Sequence, residues 1–489
     1  MTAFSLHFEP LWAACRRACT RWVVTTPVAL AFVLTAPVFG QPKAPDFEGA
    51  HREAVDMLAG FIRVDTTSPP GNETKGATYL KSFLDRAGIA SEILEMEAGR
   101  GNLVARLKGR GKKKPLLLMG HIDVVGVERE KWTVDPYGGV IKDGFIYGRG
   151  AVDDKAMTSV CLEIFLQLHR LKVPLDRDVI FLAEAGEEST PAVGIEFMVR
   201  QHWDKIECEF ALNEGGGIRE VDGRVQYVGV STAEKVPRPL ILSAKGLSGH
   251  GSRPRPDNAI LHLATAVSKA GVWQPPMRLN DTTREFFRRL VAISPSDEAF
   301  LLTHLEDPVL GAMVQEKLRA SYTAHNAVLR TTISPTMIKG GFRNNVIPGD
   351  ATATLDVRAL PDEDMDAFVE ALRKVIDDPA VEVIRAGGNR PATPPSRLDT
   401  EMFHALERAQ ARVFPGAVTI PRMQPGATDS AQLRAKGVQA YGLGTVLADE
   451  DGARIHGNDE RVSVAGLRKF LEFVWWAVVD VAGASDDSR

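Results

Sequence analysis

The sequence predicts an α/β protein with a mainly parallel sheet, into which a smaller α+β domain is inserted. In the outer parts of the chain, predicted helices alternate with short apolar strands, and the stretches 116–119 and 179–183 are continuously apolar. Such alternation is typical of parallel sheets, whose central strands are buried on both faces. A different order of elements begins near Pro237 and ends near residue 391, which indicates a second domain.

The larger domain is predicted to comprise residues 41–236 and 392–489. Apolar spacing and short apolar runs indicate its first elements. These are helices at 51–64 and 77–87, strands at 89–96, 102–107 and 116–119, a helix at 156–171, and strands at 179–185 and 210–212. The same alternation returns from about residue 395 to the end of the sequence. Since the pattern stops and resumes, the segment between is an insertion.

The inserted domain, residues 237–391, is predicted to follow the ferredoxin-like order β-α-β-β-α-β. Its elements are a strand at 239–246, a helix at 258–270, strands at 331–341 and 351–360, a helix at 362–376 and a strand at 381–386. The second helix is well indicated, because acidic residues lead it and its apolar residues form one face. An extra stretch at about 275–330 is predicted to add helices to this domain.

The composition is that of a globular protein without a polyanionic partner. Of the 489 residues, 44% are hydrophobic and 25% are charged, which excludes a fibrous or disordered chain. The 59 basic residues are balanced by 63 acidic ones, and the resulting net charge of −4 does not favour binding to nucleic acid. Cys161 and Cys208 lie in apolar contexts, which predicts either two buried thiols or one disulfide.

The first 40 residues are an exception to this even composition. Three arginines precede the apolar run 22–39, which is the pattern of an export signal with a cleavage site near Gly40. A retained membrane anchor is the alternative, although the run is shorter than the roughly 20 residues of a spanning helix and contains two prolines. The sequence therefore predicts an exported protein, periplasmic or secreted, or one that residues 22–39 anchor to a membrane.

Polar side chains that suit a metal site follow the predicted strands at five places. They are His121 with Asp123, Asp153 with Asp154 in a Gly-rich turn, Glu187 with Glu188, Glu214, and His456 in a Gly-containing loop. Each place alone has an ordinary explanation, such as a helix cap or a solvated acid. At the strand ends of one sheet, however, they form a hard nitrogen and oxygen donor set that suits two Zn²⁺ ions. In the adjacent glutamate pair, one carboxylate can bind metal while the other accepts a proton.

These residues resemble the M20 metallopeptidase family. The motifs HID, GRGAVDDK, the glutamate pair, NEG and the late HG agree with that family in type, order and spacing, and the similarity covers about residues 50–485. The resemblance implies a zinc-hydrolase catalytic domain and an inserted lid and dimerisation domain. It also implies two Zn²⁺ ions per subunit, which Co²⁺ or Mn²⁺ could replace.

The resemblance assigns roles to individual residues. It implies metal ligands at His121, Asp153, Glu188, Glu214 and His456, of which Asp153 would bridge both ions. Asp123 would orient His121, and Glu187 would be the general base.

In the inserted domain, the resemblance implies that His250 enters the active site of the partner subunit and stabilises the oxyanion. Asn345 would bind near the scissile carbonyl, and Arg358 would clamp the substrate carboxylate, a task that suits a bidentate guanidinium. An ordinary ion pair is the alternative for Arg358.

The expected activity is hydrolysis of an amide bond in a small peptide or N-acyl amino acid that carries a free carboxylate. An exported carboxypeptidase or dipeptidase is the first expectation, and an N-acyl-amino-acid deacylase is the alternative. A non-catalytic binding protein on the same scaffold would lack a metal or base residue, and none is missing from the motifs. The expected partners are the substrate and a second copy bound through the inserted domain, with no nucleic acid, and with a membrane only if the N-terminal segment is retained.

Overall fold

The computed structural model describes residues 44–388 and 390–484, so the predicted signal or anchor lies outside the described residues. Among the helices of these residues, none combines the length and the apolar character that crossing a membrane requires. Cys161 and Cys208 are both free and buried, which decides between the two alternatives in favour of two thiols.

The elements follow the predicted order closely. The first outer part contains α1 (Phe47–Ile62), α2 (Glu73–Arg86), β1 (Ser91–Glu95), β2 (Gly101–Leu107), β3 (Leu116–His121), β4 (Val140–Lys142), β5 (Phe145–Tyr147), α3 (Lys155–Arg170), β6 (Val179–Glu184), α4 (Ile195–Gln201), α5 (Trp203–Ile206), β7 (Phe210–Asn213), β8 (Gly217–Val221) and β9 (Arg224–Glu234). The middle part contains β10 (Val236–Pro237), β11 (Leu240–Lys245), β12 (Gly249–His250), α6 (Ala259–Val272), α7 (Asp281–Val291), α8 (Ser296–Thr303), α9 (Gly311–Ser321), α10 (Thr323–Ala327), β13 (Thr332–Gly340), β14 (Val346–Ile347), β15 (Asp350–Ala359), α11 (Met365–Ile376) and β16 (Val381–Arg385). The last part contains α12 (Glu401–Val413), β17 (Val418–Gln424), α13 (Ser430–Ala435), β18 (Gln439–Gly442), β19 (Val446–Ala448), α14 (Asp449–Gly452), β20 (Arg461–Ser463) and α15 (Val464–Ala482).

The two outer parts share one sheet in the order β1-β2-β6-β3-β7-β18-β9-β8-β19, with β17 paired to β9. Its centre, β6-β3-β7-β18, is parallel, as predicted. Every residue of β3 and β6 is buried. Alternate side chains of these strands enter a core on each face of the sheet, because helices cover both faces. The continuous apolar runs in the sequence reflect this burial on two sides.

The carboxyl ends of the central strands meet at one edge of the sheet. His121 at the end of β3 pairs with Glu184 at the end of β6, and β7 lies in parallel register on the other side of β3. The residues that follow each strand are therefore brought together, which is where active sites of α/β folds are built.

The small domain has its own sheet and its own core. Its strands run in the order β13-β15-β11-β16, which is the ferredoxin-like arrangement, and all of their pairings are antiparallel. Helices α6 and α11 contribute Leu263, Phe368 and Leu372 to a core that is distinct from that of the large domain. The predicted β-α-β-β-α-β order is thus present in the structure.

The extra helices α7–α10 belong by their packing to the large domain. The sequence predicts them as an addition to the small domain, but Phe286, Phe287 and Leu290 of α7 share a core with Ile420 and Met423 of β17. Apolar side chains of a helix pack against whichever exposed sheet face lies within reach of the chain, and sequence spacing does not reveal which face that is.

Candidate metal centre

His121 is held in place by its own loop. Its side chain is buried at the end of β3, and its Nδ1 lies 2.9 Å from the backbone carbonyl oxygen of Asp123. A carbonyl oxygen can only accept, so Nδ1 carries a proton, and Nε2 is the ring nitrogen directed into the site. Nε2 lies 2.9 Å from Oδ1 of Asp153.

Asp123 orients His121 through its main chain more directly than through its carboxylate. Oδ1 of Asp123 is 3.7 Å from Nδ1 of His121, beyond hydrogen-bond distance. The two carboxylate oxygens instead accept the backbone N–H groups of Glu187 and Glu188, each at 3.1 Å. Asp123 therefore connects the loop after β3 to the glutamate pair after β6.

Asp153 lies between two imidazoles. Its Oδ1 faces Nε2 of His121 at 2.9 Å, and its Oδ2 faces Nε2 of His456 at 3.1 Å. One oxygen directed to each side is the arrangement that a bridging carboxylate requires. The neighbouring Asp154 turns away from this position and accepts the backbone N–H of His121 at 3.2 Å.

The other predicted ligands complete two overlapping groups. Nε2 of His456 lies 3.0 Å from Oε1 of Glu188. Donor atoms of His121, Asp153 and Glu188 all lie within 4.8 Å of one another, and so do donor atoms of His121, Glu187 and Glu214. The structure thus brings all five predicted ligands and the predicted base into one site.

The electrostatics of the site favour a cation. Burial and the nearby carboxylates of Glu187 and Asp153 raise the pKa of Glu214 well above its usual range. Burial and the carboxylate of Asp429 raise the pKa of Glu187 to about 8. Hydrogen bonds to Asp153 and Glu188 raise the pKa of His456 to about 10. Acids held this close repel one another, and bound divalent cations would relieve the repulsion.

Residues 117–475 match the model of a protein family described as peptidase family M20/M25/M40. The chain belongs to this family. It is therefore a hydrolase, and membership of a metal-dependent family agrees with the donor set. This favours the enzyme over the non-catalytic binding protein.

Similar proteins agree with this membership. The chain is 28% identical over 445 residues to the N-fatty-acyl-amino acid synthase/hydrolase PM20D1 of Xenopus tropicalis, which covers 87% of this chain and 85% of the relative. It is 29% identical to the probable carboxypeptidase S-like 2 of Dictyostelium discoideum, over 76% of this chain and 73% of the relative.

Solved structures show the same fold. The M20 family metallo-carboxypeptidase Sso-CP2 from Sulfolobus solfataricus superposes with a TM-score of 0.64 at 20% identity, over 88% of this chain and 99% of that one. Human carnosine dipeptidase 1 superposes with a TM-score of 0.63 at 17% identity, over 90% and 99% of the two chains. The prediction of an M20-type α/β hydrolase is confirmed.

The three residues predicted in the small domain, His250, Asn345 and Arg358, have their contacts within that domain. Nδ1 of His250 accepts the backbone N–H of Ser252 at 3.1 Å, so its proton lies on Nε2, which is free to donate. Strand β12, which contains His250, pairs with β14 directly after Asn345. Arg358 donates from Nε to Asp356 at 2.9 Å. Within the described residues, no hydrogen bond or ion pair joins these three to the metal-site side chains.

Sequence reasoning missed two residues that support the site. Glu460 is fully buried, pairs with Arg149 at 2.7 Å, and accepts the backbone N–H groups of Val152 and Asp153 at 2.8 and 3.1 Å. It therefore holds the Gly-rich turn that presents Asp153. Glu460 ends the sequence HGNDE, residues 456–460, but an acid in a polar loop has no sequence pattern that indicates burial.

The second missed residue is Arg390. Its Nη2 donates to Oε1 of Glu187 at 2.8 Å, and it lies 3.6 Å from Oδ1 of Asp429. Asp429 belongs to the sequence GATDS, residues 426–430.

Proposed function

We propose that this protein is a metal-dependent amidohydrolase that cleaves a small peptide or an N-acyl amino acid with a free carboxylate. The observation that carries the proposal is the position of the Asp153 carboxylate between the Nε2 atoms of His121 and His456, beside an adjacent pair of glutamates. The relatives named as a fatty-acyl-amino acid hydrolase and a carboxypeptidase support the substrate class.

His121, Asp153, Glu188, Glu214 and His456 would hold two divalent ions, and zinc fits their mixed nitrogen and oxygen donors. Ions bound there would supply Lewis acidity for hydrolysis of an amide. The remaining chemistry belongs to the side chains of the chain itself.

Glu187 would accept the proton of the attacking water and return it to the leaving amine. Its carboxylate adjoins the metal ligands, and burial and Asp429 raise its pKa to about 8. A carboxylate positioned beside the attacking water can take its proton and return it in the next step, as a general base that becomes a general acid must do.

His250 would donate a hydrogen bond from Nε2 to the developing oxyanion, since Nδ1 is already an acceptor. Arg358 would bind the substrate carboxylate with its guanidinium, whose Nε is now paired with the half-exposed Asp356. Binding through Arg358 favours substrates that end in a free carboxylate over capped ones.

We also propose that two copies associate through the small domain. Within the described residues, strand β13 has a neighbouring strand, β15, on one side and none on the other. The side chains of Met337 and Ile338 on β13 are 56% and 61% exposed. On α6, Leu261 is 58% exposed. An unpaired edge with apolar side chains is suited to a second copy of the same surface.

Export remains a proposal for residues 1–40, supported by their arginines and apolar run. Expression of the full chain in a Gram-negative host, followed by fractionation and N-terminal sequencing, tests it. A periplasmic chain that begins near residue 41 is expected. A full-length chain in the membrane fraction would instead favour the anchor.

A substrate panel tests the proposed activity. Purified protein would be stripped of metal, reloaded with Zn²⁺, Co²⁺ or Mn²⁺, and incubated with dipeptides, N-acetyl and N-fatty-acyl amino acids, and their C-terminal amides. We expect cleavage that depends on metal and is lost for the amides. Cleavage confined to N-acyl amino acids would assign the deacylase alternative, and no cleavage by any metal form would contradict the proposal.

A further inference from the structure

Arg390 is a basic side chain that contacts Glu187, the candidate general base. Its Nη2 donates to Oε1 of Glu187 at 2.8 Å, and the side chain is 14% exposed. The carboxylate of Asp429 lies 3.6 Å away and is fully buried. Although burial acts to lower the pKa of Arg390, Asp429 and Glu187 hold it above its usual range, so the guanidinium stays charged.

This contact leaves half of the base available. Within the described residues Oε2 of Glu187 has no hydrogen-bond partner, whereas Oε1 is occupied by Arg390. The backbone N–H of Glu187 is held separately, by Asp123 at 3.1 Å. The main chain and one carboxylate oxygen are therefore restrained, and the other oxygen remains to accept a proton.

Arg390 also lies on one of the two segments that connect the domains. It lies on the segment that returns from the small domain, after Gly387 and Gly388, both of which have a positive φ. Arg238, on the segment that leaves the large domain, donates to the carbonyl oxygens of Gly388 and Arg390 at 3.0 and 2.9 Å. The guanidinium of Arg238 thus joins the two connecting segments. The guanidinium of Arg390 reaches from the returning segment to Glu187.

We propose that Arg390 is a positioning residue of the active site, which holds the Glu187 carboxylate in place and links it to the two interdomain segments. The inference rests on the proposed function, because it takes Glu187 as the base. Side chains that orient a reacting group gain their effect from geometry, and a misplacement of about 1 Å can cost roughly 10²-fold in rate.

Variants of Arg390 test the proposal with the full-length, metal-loaded enzyme. For Arg390→Met we expect kcat to fall about 10- to 100-fold, with KM changed less than about threefold and metal content unchanged. Arg390→Lys keeps the charge but loses the planar guanidinium, so its kcat should lie between those of wild type and Arg390→Met. Added guanidinium ion should restore part of kcat to Arg390→Ala. Arg238→Met should lower kcat in the same direction by less.

The matched control is Arg397→Met, which removes an exposed guanidinium paired with Asp399 on the same returning segment. It should leave kcat and KM unchanged. Wild-type kcat in Arg390→Met, a rise in KM alone, or loss of bound metal would each overturn the positioning role. Unchanged kcat in Arg238→Met would overturn the link to the interdomain segments.

Two further measurements separate this inference from the proposed function. If circular dichroism shows that Arg390→Met is unfolded, Arg390→Lys replaces it in the test. A kcat of Arg390→Lys equal to that of wild type would then contradict the inference. If the wild-type enzyme cleaves nothing in the substrate panel, the proposed function fails. Crystal structures of zinc-loaded wild type and Arg390→Lys then decide the positioning role, which requires a displaced Glu187 carboxylate and is refuted by an unmoved one.

Discussion

At the scale of single residues, the site depends on side chains that have one atom restrained and one atom free. His121 donates from Nδ1 to a backbone carbonyl and directs Nε2 toward Asp153. Asp153 divides its two oxygens between His121 and His456. Glu187 gives one oxygen to Arg390. Restraint of this kind lowers the entropic cost of reaching the reactive geometry.

Replacement of Glu187 by Ala tests the assignment of the base. We expect kcat to fall by roughly 10²- to 10⁴-fold, which is the usual contribution of general base catalysis, with metal content unchanged because Glu188 is kept. Glu130→Ala, at an exposed site, is the control. Metal analysis by mass spectrometry and steady-state kinetics check both points, and retained activity would contradict the role.

At the scale of elements, α3 contains a buried acid that the reaction does not use. Glu163 is fully buried, accepts a hydrogen bond from Gln167 at 2.7 Å, and lies 3.8 Å from Arg170. Burial raises the pKa of Glu163 to about 7. The folded state therefore prefers the neutral carboxyl, and the stability this acid contributes is present at low pH and is lost as the pH rises through 7.

Glu163→Gln should remove this dependence. The variant keeps the shape and cannot ionise, so we expect it to be more stable than wild type at pH 8, by on the order of 2 kcal/mol, and similar at pH 5. Urea unfolding at both values, with metal content matched, measures the difference. Glu196→Gln on α4, whose acid is paired with an exposed Arg200, should show no such pH-dependent gain.

The edge strand β13 is the element that we expect to form the dimer contact. Ile338→Lys places a charge on an exposed apolar position of that edge and should shift the protein from dimer to monomer while leaving its fold intact. Sedimentation velocity measures the change. Ile141→Lys, at a 52% exposed position of β4 in the large domain, should remain dimeric. A dimeric Ile338→Lys variant would argue against this surface.

At the scale of the whole molecule, the predicted catalytic residue of the small domain makes no hydrogen bond or ion pair with the metal ligands among the described residues. His250 is exposed, and among the described residues its side chain is hydrogen-bonded only to Ser252, in its own loop. A second copy of the chain could supply it to the site in trans, as the sequence predicts.

Subunit mixing tests this arrangement. Neither Glu187→Ala nor His250→Ala dimers should be active alone. After the two are mixed and allowed to exchange, about half of the dimers are mixed, each with one complete site, so about a quarter of wild-type activity is expected. Each variant mixed with itself is the control. Absence of recovered activity, with exchange shown by differently tagged chains, would place His250 in the site of its own subunit.

By itself, the sequence determined the α/β class, the ferredoxin-like insertion, the buried central strands and the set of residues gathered at their ends. These follow from local patterns, since apolar runs and helical spacing depend on neighbouring residues, and motif spacing places ligands after particular strands. The tertiary structure alone decided that α7 packs on β17, that the carboxylate of Asp123 binds the glutamate loop, and that Arg390 contacts Glu187 from 203 positions away. Such contacts depend on the path of the chain between domains, and neither partner carries a local pattern that reveals the other.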